Sequence, residues 1–273
     1  KPLASRSPIQ LGAELYGDNS QASDLEIICL MLETLRVAGL SELTLDIGHV
    51  AVYQAVVDAA GLSDEQEQRY FDILQRKAVA ELGTFIDELA VDGETAKQLS
   101  GLNALHGGDD VLQRGLELFA NIPAAVDAIH ALQSLQQRLT TRMPSLSFYF
   151  DLAELRGFHY HTGLVFSALV SEHGQALASG GRYDDIGKVF GRARSAIGFS
   201  LDLKALLSLV AAPAEVKGIF AAHSDSAEQW QAIQQLRDAG EKVVAGLPGQ
   251  QPSEACDRQL IEQNGQWQVQ PLG

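Results

Sequence analysis

What most limits the fold of this chain is a gap in its strand signal. Ile9 to Tyr16 (IQLGAELY) and Leu43 to Ile47 (LTLDI) have β character, as do Ser145 to Asp151 (SLSFYFD) and Phe158 to Val170. Between them, from about Val50 to Arg142, nothing reads as strand. That block carries helical patterns, with breaks expected near Gly61, Gly83, Gly93, Gly101, Gly107–Gly108 and Pro123. Strands on both sides of one helical block predict an α+β domain over residues 1–210, with a helical insertion at about 50–142.

Local punctuation fills in the rest. Ser23 is the expected N-cap of the first helix, with Glu26 completing a capping box. Ile27, Leu30, Met31, Thr34 and Leu35 follow at helical spacing, and Gly39 closes the helix. Gly174 separates Phe158 to Val170 from Gln175 to Ser179, as in an antiparallel hairpin. Ala196 to Ser200 reads as a further strand running into a helix over Leu201 to Val210. After the linker-like Ala211 to Glu215 come a strand (Val216 to Ala222), a helix (Ser226 to Ala239) and a strand (Lys242 to Leu247). Residues 258–270 form a hairpin pattern around Asn264-Gly265. The expected second unit is thus a small C-terminal α/β module, 216–273.

Charge narrows the function. With 35 Asp and Glu against 20 Lys and Arg, the net charge is −15. A nucleic-acid binder presents clustered lysines and arginines to the phosphates. The longest basic concentration, Lys188 to Arg194, is short and interrupted, so no nucleic-acid partner is expected. Cys29 and Cys256 lack metal or disulfide spacing and read as reduced, buried thiols of a cytoplasmic protein. No apolar run has the length of a membrane span, about 20 residues, so no membrane partner is expected. No signal peptide opens the chain, and Lys1 in place of Met suggests a trimmed N-terminus.

Three clusters bear chemistry: Gln10-Leu-Gly-Ala-Glu14, Arg156-Gly-Phe-His-Tyr-His-Thr-Gly163 and Gly180-Gly-Arg-Tyr-Asp184. Each has a plainer reading on its own. Gln10 and Glu14 fit a surface strand, and Gly180-Gly181 fits a turn needing positive φ. His159 and His161, on one strand face, make half a metal site with no third ligand at supporting spacing, so no metal is expected. Taken together, the clusters suit a zwitterionic small molecule. Glu14 offers a carboxylate, Arg156 a forked guanidinium, Gln10 an amide and Tyr160 a phenol, while glycines admit a close ligand.

In that order, Gln10-Leu-Gly-x-Glu14, Arg156-Gly-x-x-Tyr160 with Thr162-Gly163-x-Val165-Phe166, and Gly180-Gly181-Arg182-Tyr183-Asp184 resemble the histidyl-tRNA synthetase core. Ala196-x-Gly198-Phe199 resembles the start of its third class II motif. The resemblance spans about residues 8–210 and implies a class II aminoacyl-tRNA synthetase-like mixed, mainly antiparallel sheet flanked by helices. In that family, residues matching Gln10 and Glu14 contact histidine, and the one matching Arg156 lies at its carboxylate and the reacting phosphate. The same resemblance assigns Tyr160 and His161 to the histidine site, and Gly180, Gly181, Arg182 and Tyr183 to a glycine-rich turn lining the pocket.

The departures from that family bear on activity. The arginine that holds ATP is matched by Ala205, and the motif's inner glycine by Asp202. A methyl group and a carboxylate in those places remove attraction to phosphates and add repulsion. Upstream of Gln10, Arg6 is the only arginine, and the tail is too short for an anticodon-binding domain. Arg156-Gly-Phe-His-Tyr-His-Thr-Gly163, with Ala255-Cys-Asp-Arg-Gln-Leu260 and Gln263-Asn-Gly-Gln-Trp267, is closer to the regulatory subunit of ATP phosphoribosyltransferase. That resemblance implies a non-catalytic, cofactor-free protein. Its expected partners are the short-form catalytic subunit, with which its homodimer core forms a hetero-octamer, and L-histidine as feedback ligand. A catalytic-core fragment of histidyl-tRNA synthetase and a free-standing histidine-binding or tRNA-modifying paralogue are the competing readings.

Overall fold

A computed structural model describes residues 7–155, 157, 160–170, 176–185, 187, 191, 193–210 and 215–272. The chain divides into two compact units, Lys1–Ala211 and Ala212–Gly273. Strands of the first unit are β1 (Gln10–Tyr16), β2 (Leu43–His49), β3 (His106–Gly107), β4 (Ser147–Asp151), β5 (Leu164–Val170), β6 (Ala178–Arg182) and β7 (Ala196–Asp202). They form one sheet in the order β1-β7-β6-β5-β2-β4-β3. Neighbours run antiparallel except β2 and β4, which are parallel. A parallel pair needs a crossover. Here the helical insertion supplies it.

The insertion comprises α2 (Val50–Ala60), α3 (Asp64–Gln75), α4 (Val79–Leu89), α5 (Gly93–Leu102), α6 (Asp110–Leu118) and α7 (Pro123–Arg142), while α1 (Gln21–Val37) joins β1 to β2. The core is continuous from sheet to insertion, with Leu45, Ile47, Tyr53, Tyr70, Phe85, Ile129 and Phe150 all buried.

Several local expectations change. Gly83 and Gly101 lie inside α4 and α5. A Cβ on Gly101 would lie 2.5 Å from Leu118 Cδ2, so this glycine permits close helix packing. The chain turns at Lys77 and Ala90, both in the left-handed region (φ 50° and 51°). Packing has overridden local propensity there. β3 adds a two-residue strand within the block that reads as wholly helical. Ser20, not Ser23, is the N-cap of α1; Ser23 is buried and its hydroxyl accepts from Arg182 Nη2 at 2.8 Å. The strand expected from Phe158 begins at Leu164, because Gly157 (φ 70°) turns the chain and its carbonyl accepts from the Tyr160 and His161 amides. After β7 the helix is only α8 (Leu203–Leu207), capped by Asp202, whose side chain accepts from the Lys204 amide.

The second unit contains β8 (Gly218–Ala221), α9 (Ala227–Asp238), β9 (Val243–Ala245), β10 (Cys256–Gln263) and β11 (Gln266–Pro271). Its sheet order is β11-β10-β8-β9. Ile219, Ala221, Val243 and Leu260 pack with Ile233 of α9 into a small core. Asn264 and Gly265 both have positive φ (56° and 76°), the geometry of a two-residue hairpin turn.

Candidate functional site

The register of the first sheet creates the site. Gly12, Ser200, Ser179, Ser167 and Asp46 face one another across β1, β7, β6, β5 and β2. The neighbouring row on the same face is Glu14, Gly198, Gly181, Val165 and Gly48. Residues between these rows, among them Phe199, Phe166 and Ile47, belong to the hydrophobic core. One face of the sheet is therefore packed. The other is a floor of glycine and serine, and above it lies a cavity of about 360 Å³.

Glu14, Asp46, Glu154, Tyr160, His161 and Tyr183 wall this cavity, with no lysine or arginine among the described lining residues. Its size suits a small molecule, for which pockets run about 300–1,000 Å³. Glu14 accepts a hydrogen bond from the Tyr16 hydroxyl, a bond that raises the Tyr16 pKa. Tyr160 packs on Tyr183 with ring centroids 5.0 Å apart and meets the His161 ring edge-on at 5.3 Å. The Tyr183 hydroxyl is buried and makes no hydrogen bond of acceptable geometry among the described residues. Burial, and then its interaction with the adjacent Glu14 carboxylate, raise its pKa. A phenol beside a carboxylate at the cavity wall can exchange hydrogen bonds with a polar ligand there.

Glycines set the wall's closeness. A Cβ on Gly181 would lie 2.5 Å from His161 Cδ2 and 2.8 Å from the Leu164 carbonyl; one on Gly157 would lie 2.7 Å from His161 Nδ1. The imidazole fits only between two residues without side chains. We predict that Gly181→Ala lowers unfolding stability by about 1–3 kcal/mol through overpacking, measured by urea denaturation; unchanged stability would show that the His161 ring moves aside freely.

Behind the cavity, on the opposite face of β6 from Gly181 and Tyr183, Arg182 forms a buried hub. Its guanidinium donates to Asp24 Oδ1 (2.6 Å), the Ser23 hydroxyl, the Asp18 and Ser20 carbonyls and Asp184 Oδ1 (3.3 Å). Burial raises the Asp24 pKa against the pull of Arg182. His49 caps α2 by accepting from the Ala51 amide, and burial followed by the Arg182 charge pushes its pKa down to about 4. Because the folded state keeps His49 neutral while an unfolded histidine titrates near 6.5, its contribution is present at neutral pH. It is lost as pH falls from 6.5 to 4, by at most about 3 kcal/mol. The check is urea denaturation at pH 7 and 4.5 of the wild type and His49→Asn, which retains a capping oxygen. The variant is expected to lose less stability between the two pH values.

Of the residues singled out in sequence, Glu14, Tyr160, His161, Gly180, Gly181 and Tyr183 come together around the cavity. Three do not. Gln10 shares Glu14's strand face but stands opposite Asp202, about 13 Å along the strand, and does not line the cavity. Arg182 points away from it, drawn into the carboxylate and carbonyl cluster around α1. Arg156, like His159, lies outside the described residues. Gly180 and Gly181 lie within β6 rather than in a turn. His161 sits in a loop rather than on a strand. Among the described residues no His, Cys, Asp and Glu group has metal-site geometry. Sequence reading passed over Asp46, Glu154 and the three serines; an aspartate between Leu45 and Ile47 in a strand pattern was the available signal.

Comparison with known proteins fits this architecture. Residues 1–206 match the histidyl-tRNA synthetase family model, and residues 216–270 match the model for the ATP phosphoribosyltransferase subunit HisZ C-terminal domain. An ATP phosphoribosyltransferase regulatory subunit from Pseudomonas fluorescens is 51% identical over 98% of this chain and 69% of its own length. The chain belongs to the ATP phosphoribosyltransferase regulatory subunit family.

Among solved structures, an ATP phosphoribosyltransferase regulatory subunit/histidyl-tRNA synthetase from Bacillus halodurans superposes with a TM-score of 0.77 at 28% identity. That match covers 89% of this chain and 64% of the other. The ATP phosphoribosyl transferase (HisG:HisZ) complex from Thermotoga maritima matches with a TM-score of 0.57 at 19% identity, covering 71% of this chain and 66% of that one. These superpositions establish the class II synthetase-like fold. Within the regulatory subunit family, the two units described above correspond to the two matched segments.

Proposed function

We propose that this chain is the non-catalytic partner of a short-form ATP phosphoribosyltransferase catalytic subunit, needed for its activity, and that its cavity binds L-histidine as the feedback signal. The buried Tyr183 hydroxyl beside the Glu14 carboxylate, in a cavity floored by glycine and serine, is the observation that carries the histidine site. Glu14, Asp46 and Glu154 favour a ligand that brings N–H donors, as an ammonium and an imidazole do. Arg156, two residues after Glu154, is the proposed partner of the ligand carboxylate. Tyr160 and His161 complete the wall.

Histidine is bound without being activated. Ala205, half-buried on α8 against the core, has no charge to hold a triphosphate, and Asp202 is committed to capping that helix. Following the family resemblance, the working assembly is a homodimer core within a cytoplasmic hetero-octamer. The decisive experiment mixes this protein with the catalytic subunit from the same source and follows phosphoribosyl-ATP formation. Activity that rises in the mixture and falls with added histidine supports the proposal. Absence of stimulation by folded protein overturns it, and histidine-dependent exchange of pyrophosphate into ATP would favour a synthetase instead.

A further inference from the structure

We infer that the cavity takes histidine in its imidazolium form, with a ring N–H donated to Glu14, so that occupancy by the feedback ligand rises as pH falls. This rests on the histidine reading above and adds to it the charge state that the site selects.

The first support is the balance of charge. Every carboxylate or basic chain that the described residues place on the cavity is acidic: Glu14 from β1, Asp46 from β2 and Glu154 after β4. The other titratable groups there are the Tyr160 and Tyr183 phenols and the His161 imidazole, with the Tyr16 phenol bonded to Glu14. Arg182 faces α1 instead, and Lys77, in the adjoining hollow that shares Asp46 and Glu154, is paired with Asp151 at 3.4 Å. A histidine with a neutral ring is zwitterionic and brings no net charge. Arg156 offsets its carboxylate and one of the three acidic groups its ammonium. A proton on the ring supplies a second positive charge to the two that remain. Carboxylates within about 4–6 Å of a cationic group make it hold its proton more tightly.

The second support is the direction of the hydrogen bonds. Glu14 and Tyr183 converge above Gly198, where an added Cβ would lie 2.7 Å from Glu14 Cγ and 3.0 Å from the Tyr183 hydroxyl. The hydrogen bond to Glu14 keeps the Tyr16 phenol protonated, and burial followed by Glu14 does the same for Tyr183. Beside an anion, a phenol turns its O–H toward the charge and leaves its oxygen lone pairs to other neighbours. A neutral imidazole needs a donor for its bare nitrogen; an imidazolium donates from both and meets acceptors at both. The floor serines can donate or accept and so serve either form.

The sign follows from linkage. A free histidine ring titrates near 6.5, and binding of the cation raises that value. The gain in affinity is then complete below about 6.5 and is lost as pH rises through the value of the bound ring.

Isothermal titration of the whole protein with histidine at pH 6 and 8, and at pH 7.5 in phosphate and in Tris, tests this. Affinity is expected to fall about tenfold from pH 6 to 8, and binding at pH 7.5 to take up about half a proton or more per histidine. Triazolylalanine, whose ring stays neutral over this range, is expected to bind at least tenfold more weakly at pH 6 and to take up no proton. Histidine that binds equally well at pH 6 and 8 without proton uptake overturns the imidazolium and leaves the histidine site standing. Uptake that persists with triazolylalanine assigns the proton to His161 or another group of the protein, and overturns it too. No binding of histidine at any of these pH values overturns the histidine site itself.

Discussion

Asp24→Ala is expected to lower the unfolding free energy by about 3 kcal/mol, the loss typical when one member of a buried ion pair is removed. The Arg182 side chain is only 9% exposed and would keep its charge with just Asp184 as ionic partner among the described residues. The intact pair need not be a large net stabiliser, since burial already outweighs the attraction of Arg182 in setting the Asp24 pKa. Removing both charges in Asp24→Leu/Arg182→Met should therefore cost less than Asp24→Ala alone. Urea denaturation of the three proteins decides this. A double variant as unstable as the sum of its parts would mean that the hydrogen bonds of Arg182 to α1, not the buried charges, hold the structure.

Glu14→Gln should weaken histidine binding about 10- to 100-fold, the equivalent of losing one charge-assisted hydrogen bond. The amide keeps the shape of the carboxylate and can still accept from Tyr16, so the fold should survive, and an unchanged melting temperature would confirm it. Isothermal titration of both proteins with histidine gives the ratio. Equal affinities would place histidine elsewhere, whereas Tyr183→Phe should show a smaller loss, because a neutral donor contributes less than an anion.

Much of this arrangement could be read from residue order. The alternation in Ile9 to Tyr16 and Leu43 to Ile47, and the Asn264-Gly265 turn, depend on neighbours in sequence, and they appear as β1, β2 and the β10–β11 hairpin. The errors have another origin. Gly101 reads as a helix break because glycine lowers helix propensity, yet its place is set by Leu118. Arg182 reads as a ligand-facing cation because the motif places it beside Tyr183, but strand alternation turns adjacent residues to opposite faces. The row Ser167, Ser179 and Ser200 becomes visible only once three strands are in register.

Glu14 lies on β1, the outermost strand of its sheet, which among the described residues has β7 as its only hydrogen-bonded neighbour. Edge strands open locally at lower cost than central ones. A ligand held between Glu14 on β1 and Tyr183 at the end of β6 would stitch three strands together. Part of its binding free energy would then go into ordering that edge. Histidine should accordingly slow amide hydrogen exchange along Gln10–Tyr16 far more than in β2 and β5. The sheet edge itself would then record whether the regulator is occupied.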